Sequence, residues 1–386
     1  MLQTTSQPHY TVRVLNPTEI DSKLISAWED LEARALVPNA FMSPYFVMPA
    51  IRHLASADNT FGVFVEKTSS GLPNLVGVAL FQVRKPTRRF PLKHLAAFET
   101  IHSYLSDFLL DREHVSAVLQ EIYRYLTDKK HAWHGLYLNN FSSESFFSEE
   151  AKTIASDFGI RWTLFETWSR AVLFASNFGE TGLAHLSNKQ RKNFRKNLQK
   201  LEELGQTQWV LKRGTTLLKK SIDEFIRLEH SGWKGQEGTS LYSNPNHLRF
   251  FYEMISGFNE KGRAFFTELN LNGVTIASTS NLISGKAGFG FKVGWDSEYA
   301  KYGPGKLNEI KTIEDGREPL SDLEYLDSST TSNSYINNLW TGRREIVEGM
   351  GSLTPWGQAA LTGVGMARKV KTWLRSRHPT TNPENT

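Results

Sequence analysis

The chain has 386 residues, with 45 Lys+Arg against 40 Asp+Glu, a formal net charge of +5, and no cysteine. At about 100–200 residues per domain, this length predicts two domains, each large enough to bury a core of its own. The absence of cysteine excludes disulfides, thiolate nucleophiles, iron–sulfur clusters and cysteine-ligated zinc, so any chemistry rests on oxygen and nitrogen groups. Charges of both signs are spread along the chain, a solvated surface rather than a polycation, and nucleic-acid binding is not indicated. Residues 1–10 lack the basic and apolar regions of a signal peptide, and no apolar run reaches the about 20 residues of a membrane span. The expected location is the cytoplasm.

The first half alternates strand and helix patterns: β-rich residues 10–15, a helical stretch 19–35, and strands 61–67 and 75–83 with turn chemistry from Ser69, Ser70, Gly71 and Pro73. A helix over 113–129, a strand 135–138, a helix 149–158 and an extended 161–174 complete one mixed α/β unit. The second half opens with a well-punctuated helix, because Ser187 and Gln190 form an S-x-x-Q capping box and Gly205 stands where a glycine ends a helix. Leu186, Phe194, Leu198, Leu201 and Leu204 share one face of it, and Lys189, Lys192, Lys196 and Lys200 form a separate stripe. Ser221 with Glu224 predicts a second capping box, and Asn246 the cap of a helix ending at Gly262.

Residues 264–269, 274–282 and 287–295, punctuated by Asn272-Gly273 and Ser284-Gly285, predict a three-stranded antiparallel meander. Directly after it, Tyr302-Gly303-Pro304-Gly305-Lys306 leads into a helical stretch 307–315, stopped at Gly316, and then a strand 323–326 ending at Asp327. Antiparallel strands, a glycine turn into a helix and a further strand follow the order of a cofactor-binding acyltransferase core. The fold class expected is α/β (α+β), two similar units without readable sequence repetition.

Residues 186–195, the helix 225–233 with Lys234, and Tyr299-Ala300-Lys301-Tyr302-Gly303-Pro304-Gly305-Lys306 resemble the GNAT-like domain of the cellulose-biosynthesis CelD group, a relative of the FemAB-type double-GNAT proteins. In the first half, Asn39-Ala40-Phe41-Met42-Ser43-Pro44 and Tyr104-Leu105-Ser106-Asp107-Phe108 also look like that group. The resemblance runs from about residue 10 to residue 345 and rests on the order and spacing of degenerate motifs. It implies two tandem GNAT-like domains, each a mixed, largely antiparallel sheet flanked by helices. Residues 10–175 would form the N-terminal one, 180–350 the acyl-CoA-binding C-terminal one, and 351–386 a basic tail. It also implies an acetyl-CoA or other acyl-CoA donor, no metal, and N-acylation of an amino sugar, amino acid or similar small-molecule amine, with a nucleotide-sugar or glycan precursor of surface polysaccharide among the acceptors.

A coenzyme A donor carries a pyrophosphate, which a glycine-opened helix N-terminus meets with free backbone N–H groups and the positive end of its dipole. Gly303 and Gly305 would let the backbone approach, and Lys306 adds a charge; the bland alternative is an ordinary turn before a surface helix. In a GNAT-type fold the pantetheine arm pairs with a splayed strand, here 288–295. Gly288, Gly290 and Gly294 would admit it, with Phe291 and Val293 as neighbours. The alternative is a glycine-weakened hairpin strand.

Acyl transfer to an amine needs the amine deprotonated, the thioester carbonyl polarised and the thiolate protonated. Without cysteine, direct attack in a ternary complex is the simplest route. Glu229 and His230, just before Trp233-Lys234, and Asp327 at a strand end are the candidate bases; Trp233 and Lys234 are candidate substrate contacts. A solvated helix end is the alternative for Glu229 and His230, whereas a strand C-terminus is a favoured site position for Asp327. The family's Tyr-Lys pair after the acidic strand end is here Tyr335 without its lysine, and Tyr335 and Trp340 remain as donor or acceptor contacts, or as packing under the last helix. Asp107 matches a family position facing the interdomain groove, with a turn role as its alternative.

His131 and His134 lack a third ligand, and no G-x-S-x-G hydrolase motif is present. The basic cluster Lys189, Arg191, Lys192, Arg195, Lys196 and Lys200 fits an adenosine phosphate, an anionic acceptor, a membrane surface or simply a solvated helix face. Residues 366–377, with five cations and Trp373, suggest peripheral contact with the inner face of a membrane, or a solvated tail. Two other functions stay open: a non-catalytic GNAT-like component of a polysaccharide assembly, and FemAB-like aminoacyl transfer from charged tRNA.

Overall fold

A computed structural model describes residues 9–365 except 56, 70, 71 and 147; the side chains of 69, 145, 146, 180, 181, 233 and 234 also fall outside the described residues. In chain order the first half contains β1 (His9–Leu15), α1 (Ser22–Ala33), α2 (Pro44–His53), β2 (Thr60–Ser69), β3 (Leu72–Arg84), β4 (His94–Ala97), β5 (Leu109–Leu110), α3 (Val115–Leu126), β6 (Gly135–Ser142), α4 (Ser143–Phe146), α5 (Glu149–Asp157) and β7 (Arg161–Phe174). The second half contains α6 (Asn188–Glu202), β8 (Thr207–Arg213), α7 (Lys219–His230), α8 (Trp233–Gln236), α9 (Pro245–Glu260), β9 (Ala264–Leu271), β10 (Val274–Ser284), β11 (Ala287–Trp295), α10 (Pro304–Asp315), β12 (Tyr325–Asp327), α11 (Ile336–Leu339) and β13 (Gly342–Ser352).

One sheet runs through the molecule in the order β1-β2-β3-β4-β6-β13-β7-β12-β11-β10-β9-β8, with β5 on β3. The two ends repeat each other. Strands β1 to β4 pair antiparallel and β6 joins β4 in parallel; strands β8 to β11 pair antiparallel and β12 joins β11 in parallel. The repeat invisible in the residues is therefore present in the connectivity. In the middle, β13 from the end of the chain lies between β6 and β7, and β7 from the first half reaches β12. Each unit is thus closed by the other's last long strand.

Local signals explain most element boundaries. The box predicted at α6 is formed, with Gln190 N donating to Ser187 Oγ at 3.2 Å and Ser187 N donating to Gln190 Oε1 at 3.0 Å. Leu201 is buried and Lys189, Lys192, Lys196 and Lys200 are exposed, although Leu204, expected on the packed face, is half-exposed. Asn272 and Gly273 both take positive φ in the β9–β10 turn, the geometry a two-residue hairpin requires.

Two cap assignments are corrected. Helix α7 starts at Lys219, so Ser221 lies inside it, buried, and accepts from Lys212 Nζ at 3.1 Å. The cap of α9 is Asn244, which accepts from Asn246 N at 2.9 Å with Pro245 at the first helical position. After β13 ends at Ser352, residues 355–365 are helical. The basic segment 366–377 lies outside the described residues.

The main core crosses between the units through aromatic contacts: Phe41 meets Phe289 edge-on at 5.9 Å, and Phe46 meets Phe250 at 5.3 Å. Each fully buried phenylalanine contributes about 1.5–3 kcal/mol of burial free energy, so this seam holds the halves in fixed relation. Among the described residues no helix is long and apolar enough to cross a membrane.

Candidate functional site

The sheet opens where β11 leaves β12. The parallel pairing covers only Ala287 to Phe289 against Tyr325 to Asp327, and from Gly290 onward β11 keeps β10 as its ladder partner. The β10–β11 register shifts at Ser280/Asn281, which leaves Phe291 as an extra residue between Gly290 and Lys292. A bulge beside a strand divergence turns side chains and backbone groups out of the regular ladder. Phe291 stacks on Phe251 at 5.9 Å and touches Tyr104 at the same distance, on the α7/α9 face. Val293 and Trp295 face α10, where they neighbour Gly305.

Two glycines of this strand, Gly288 and Gly294, serve packing. A Cβ on Gly294 would lie 2.4 Å from Glu229 N, and one on Gly288 2.4 Å from a Leu326 methyl. Gly294 thus lets the end of α7 close on β11 and brings Glu229 against the strand.

On the α10 face, Gly303 takes φ 68° and ψ 51° as the N-cap, with no side-chain cap, followed by Pro304. This left-handed backbone suits glycine, and proline lacks an N–H, so the N–H groups of Gly305 and Lys306 are the ones the first turn presents. Gly305 is buried and Lys306 exposed, its Nζ 5.3 Å from the centre of the Tyr335 ring. Burial, and then Glu309, push the Tyr335 phenol far up, so it keeps its proton. Glu309, buried in α10, has its carboxyl raised to about 7 by desolvation, against the hydrogen bond donated by Thr279 Oγ1 at 2.8 Å. A cleft of about 300 Å³ separates α10 from α6, with Arg191, Arg195 and Lys311 on its walls.

On the other face, Glu229 is buried and its Oε2 accepts from Leu241 N at 2.8 Å. Desolvation, and then Glu229, raise the Tyr104 phenol to about 12. His230, the next residue, is exposed, bonded through Nδ1 to Ser240 Oγ at 2.8 Å and set against Tyr242. Trp233 and Lys234 open α8, but their side chains lie outside the described residues.

Asp327 is wholly buried, paired with Arg170 Nε at 2.8 Å and Arg344 Nη1 at 2.9 Å, and accepts from Ser329 N at 2.8 Å. Burial alone would raise its carboxyl, but the two guanidiniums hold it below its ordinary value. Asp107 is also buried: its Oδ2 accepts from Ser142 N at 2.9 Å and its backbone carbonyl from Asn39 Nδ2 at 2.8 Å. Trp340 is packed in the core with Ile310 and Leu326, and its indole N–H has no partner among the described residues.

The predicted residues therefore separate into groups. Gly303, Gly305, Lys306, Val293 and Tyr335 gather on the α10 face, and Phe291 and Glu229 gather on the opposite face with Tyr104. Asp327 and Asp107 belong to a buried charge network behind the opening. The sequence reading did not single out Tyr104, His102, His247, Lys292 or Glu309. The meeting of Tyr104 and His102 with His247 and the Phe291–Lys292 segment depends on the contact between units, whereas Glu309 is buried within the second unit, and only Tyr104 lay in a quoted motif.

Residues 188–335 match the acetyltransferase (GNAT) domain family. The match covers α6 through Tyr335 and so includes the divergence and the glycine turn. No curated protein matches the chain in sequence. Among solved structures the fold is similar to FemX (9% identity, TM-score 0.56, covering 88% of this chain and 96% of that one). It is also similar to a conserved protein of unknown function from Bacteroides thetaiotaomicron (12%, TM-score 0.52, covering 89% and 100%). A third is the C-terminal domain of a putative lysylphosphatidylglycerol synthetase from Agrobacterium fabrum (11%, TM-score 0.50, covering 89% and 95%). The chain thus shares a GNAT-like fold with FemX along most of its length, and residues 188–335 match the acetyltransferase (GNAT) domain family.

Proposed function

We propose that this protein transfers an acyl group from an acyl-CoA to the amine of a small acceptor by direct attack in a ternary complex. The observation that carries this reading is the divergence of β11 from β12 beside the uncapped N-terminus of α10, inside the region that matches the acetyltransferase family. Gly305 N–H, Lys306 N–H and the Lys306 ammonium suit the donor's pyrophosphate, and the free edge of β11 suits an amide-bearing arm that pairs as a strand would.

The acceptor enters from the α7/α9 face. Its neutral amine attacks the thioester carbonyl, the C–N bond forms, and the tetrahedral species collapses with loss of the C–S bond and departure of the thiolate. Glu229 is the proposed acceptor of the amine proton, directly or through one water, with Tyr104 beside it. Tyr335, which keeps its proton, donates a hydrogen bond to the leaving sulfur or the carbonyl oxygen. His230, exposed and held by Ser240, is the weaker base candidate. Asp327 has both oxygens engaged by guanidiniums and a backbone N–H, so its proposed role is to position β12, not to take a proton. An amino sugar of a surface polysaccharide, as the CelD resemblance implies, is the proposed acceptor class, and a division at residues 10–175 and 180–350 is the proposed domain organisation.

The test is calorimetric titration with acetyl-CoA of the wild type and of Lys306→Gln, an exposed substitution that leaves packing intact. Saturable binding weakened several-fold by the substitution supports the donor site. No binding of acetyl-CoA or of longer acyl-CoAs overturns the reading.

A further inference from the structure

The segment from the end of β3 to the start of β4, residues 84–93, carries Arg84, Lys85, Arg88, Arg89 and Lys93 and no acid. All five cations are exposed. Arg84 pairs with Glu99 at 3.6 Å and Arg89 pairs with Glu348, whereas Lys85, Arg88 and Lys93 have no carboxylate partner among the described residues. Glu166, the cross-strand neighbour of Glu348, is the exposed acid at the edge of this group.

The apolar residues of the loop tie it to the helix at 355–365. Phe90 shares a small core with Met350 and Leu361, and Leu92 and Ala360 pack against it. Nearer the start of that helix, a Cβ on Gly357 would lie 2.0 Å from the His134 carbonyl oxygen, and His134 N donates to the Lys93 carbonyl at 2.9 Å. The helix therefore runs along the loop, beginning near Lys93 and reaching Phe90 at Leu361. Trp356, next to Gly357, points away from this packing and is 73% exposed. A large indole is thus held in water beside a group of unpaired cations.

We propose that Lys85, Arg88, Lys93 and Trp356 form a docking surface for a bilayer of anionic phospholipid. Charge complementarity sets the sign of the partner: cations without carboxylates are attracted to an anionic leaflet within a Debye length of it. The indole sets its kind, because an amphipathic ring among cations fits the headgroup level of a bilayer. The sequence beyond the helix has the same character. From Gly349 to Pro383 it contains no acid, and residues 366–377, outside the described residues, carry Arg368, Lys369, Lys371, Arg375 and Arg377 with Val370, Trp373 and Leu374 at i, i+3 and i+4. A nucleic acid would use the cations and leave Val370 and Leu374 without a role, whereas a lipid surface takes up both. This surface is independent of the acyl-transfer reading.

The experiment is co-sedimentation of the full chain with vesicles of phosphatidylcholine alone and of phosphatidylcholine mixed with phosphatidylglycerol. Binding is expected to the mixed vesicles only, and to weaken as salt is raised. The combined variant Lys85→Gln, Arg88→Gln and Lys93→Gln should weaken it by about tenfold or more. Trp356→Ala should weaken it several-fold, and decides the matter if the combined variant does not fold. Thermal unfolding should stay unchanged in both, since these side chains are exposed. Lys192→Gln with Lys196→Gln, on the exposed basic stripe of α6, should leave vesicle binding within about twofold. No binding of the wild type to the mixed vesicles, equal binding by the folded loop variant, or loss through the α6 pair instead overturns the proposal. Binding of polyuridylate RNA through the same loop without vesicle binding also overturns it and makes the partner a nucleic acid.

Discussion

Arg170 and Arg344 are direct cross-strand partners on β7 and β13, and both guanidiniums close on the single carboxylate of Asp327. Two like charges opposite one another destabilise a ladder, so Asp327 is what allows these strands, one from each unit, to lie side by side in the interior. Asp107 lies close enough to act on both arginines as well. Two positive and two negative groups, all buried, thus sit near the line where the units exchange strands. Tyr104 joins this network to the α7/α9 face, since its carbonyl accepts from Arg170 Nη1 and its ring touches Phe291.

Replacing Asp327 by Asn should therefore act on stability before it acts on chemistry. Removing one member of a buried ion-pair group costs about 3–5 kcal/mol because the partners are left uncompensated, and thermal unfolding of Asp327→Asn should fall accordingly. The carboxyl is held below its ordinary value of 3.8 in the folded chain, so its contribution is present above that pH and is lost as pH falls through the lower folded value. The wild type should lose this stability on acidification, and the variant should lack that part of the loss. A variant as stable as the wild type with depressed turnover would instead restore Asp327 as the base.

Glu229→Gln separates chemistry from binding. The amide oxygen can still accept from Leu241 N, so folding should change by no more than about 1 kcal/mol. Loss of the general base should lower kcat by about 10²–10⁴-fold with donor affinity unchanged. His230→Gln should leave kcat within about threefold, as expected for an exposed surface side chain. The reverse ranking, measured by thiol release from acetyl-CoA once an acceptor is found, would move the base to His230.

The local parts of this architecture were legible because each is written in a few adjacent residues: the Ser187/Gln190 box, the Asn272-Gly273 turn, the Gly303 cap. The cap of α7 was misread because Ser221 fits a capping-box pattern equally well as a buried helical serine bonded to Lys212. Strand β13 carries Arg343, Arg344, Glu345 and Glu348 among short apolar residues, a pattern that shows no strand until Asp327 is present to receive Arg344. On the α7/α9 face Phe291 and Glu229 were legible, but His102 and His247 were not, because they lie far apart in sequence and His102 becomes unusual only once it is buried without partners among the described residues.

The strand exchange also bears on how the chain divides. A fragment of residues 10–175 lacks β13, which separates β6 from β7 along their length, and would expose two long unpaired edges. It should aggregate or show no cooperative unfolding, despite having a sufficient number of core residues. Size-exclusion chromatography and near-ultraviolet circular dichroism of the fragment provide the check. A monomeric fragment with a sharp transition would mean that the first unit is independent of the exchanged strand.

Glu309 provides a signature in pH. Its carboxyl ordinarily titrates at 4.5 and is raised to about 7 by burial in α10. Between those values the folded chain holds a proton that the unfolded chain has released, so stability is fully present below pH 4.5 and declines as pH rises through 7. A shift of this size corresponds to about 3 kcal/mol across the window. Glu309→Gln retains an acceptor for Thr279 and carries no titrating proton, so its unfolding free energy should be flatter with pH and higher than wild type at pH 8. Denaturant unfolding across that range measures both. An identical decline in the variant would show that Glu309 does not carry the buried proton and that its surroundings are more hydrated than the packing of α10 against β10 indicates.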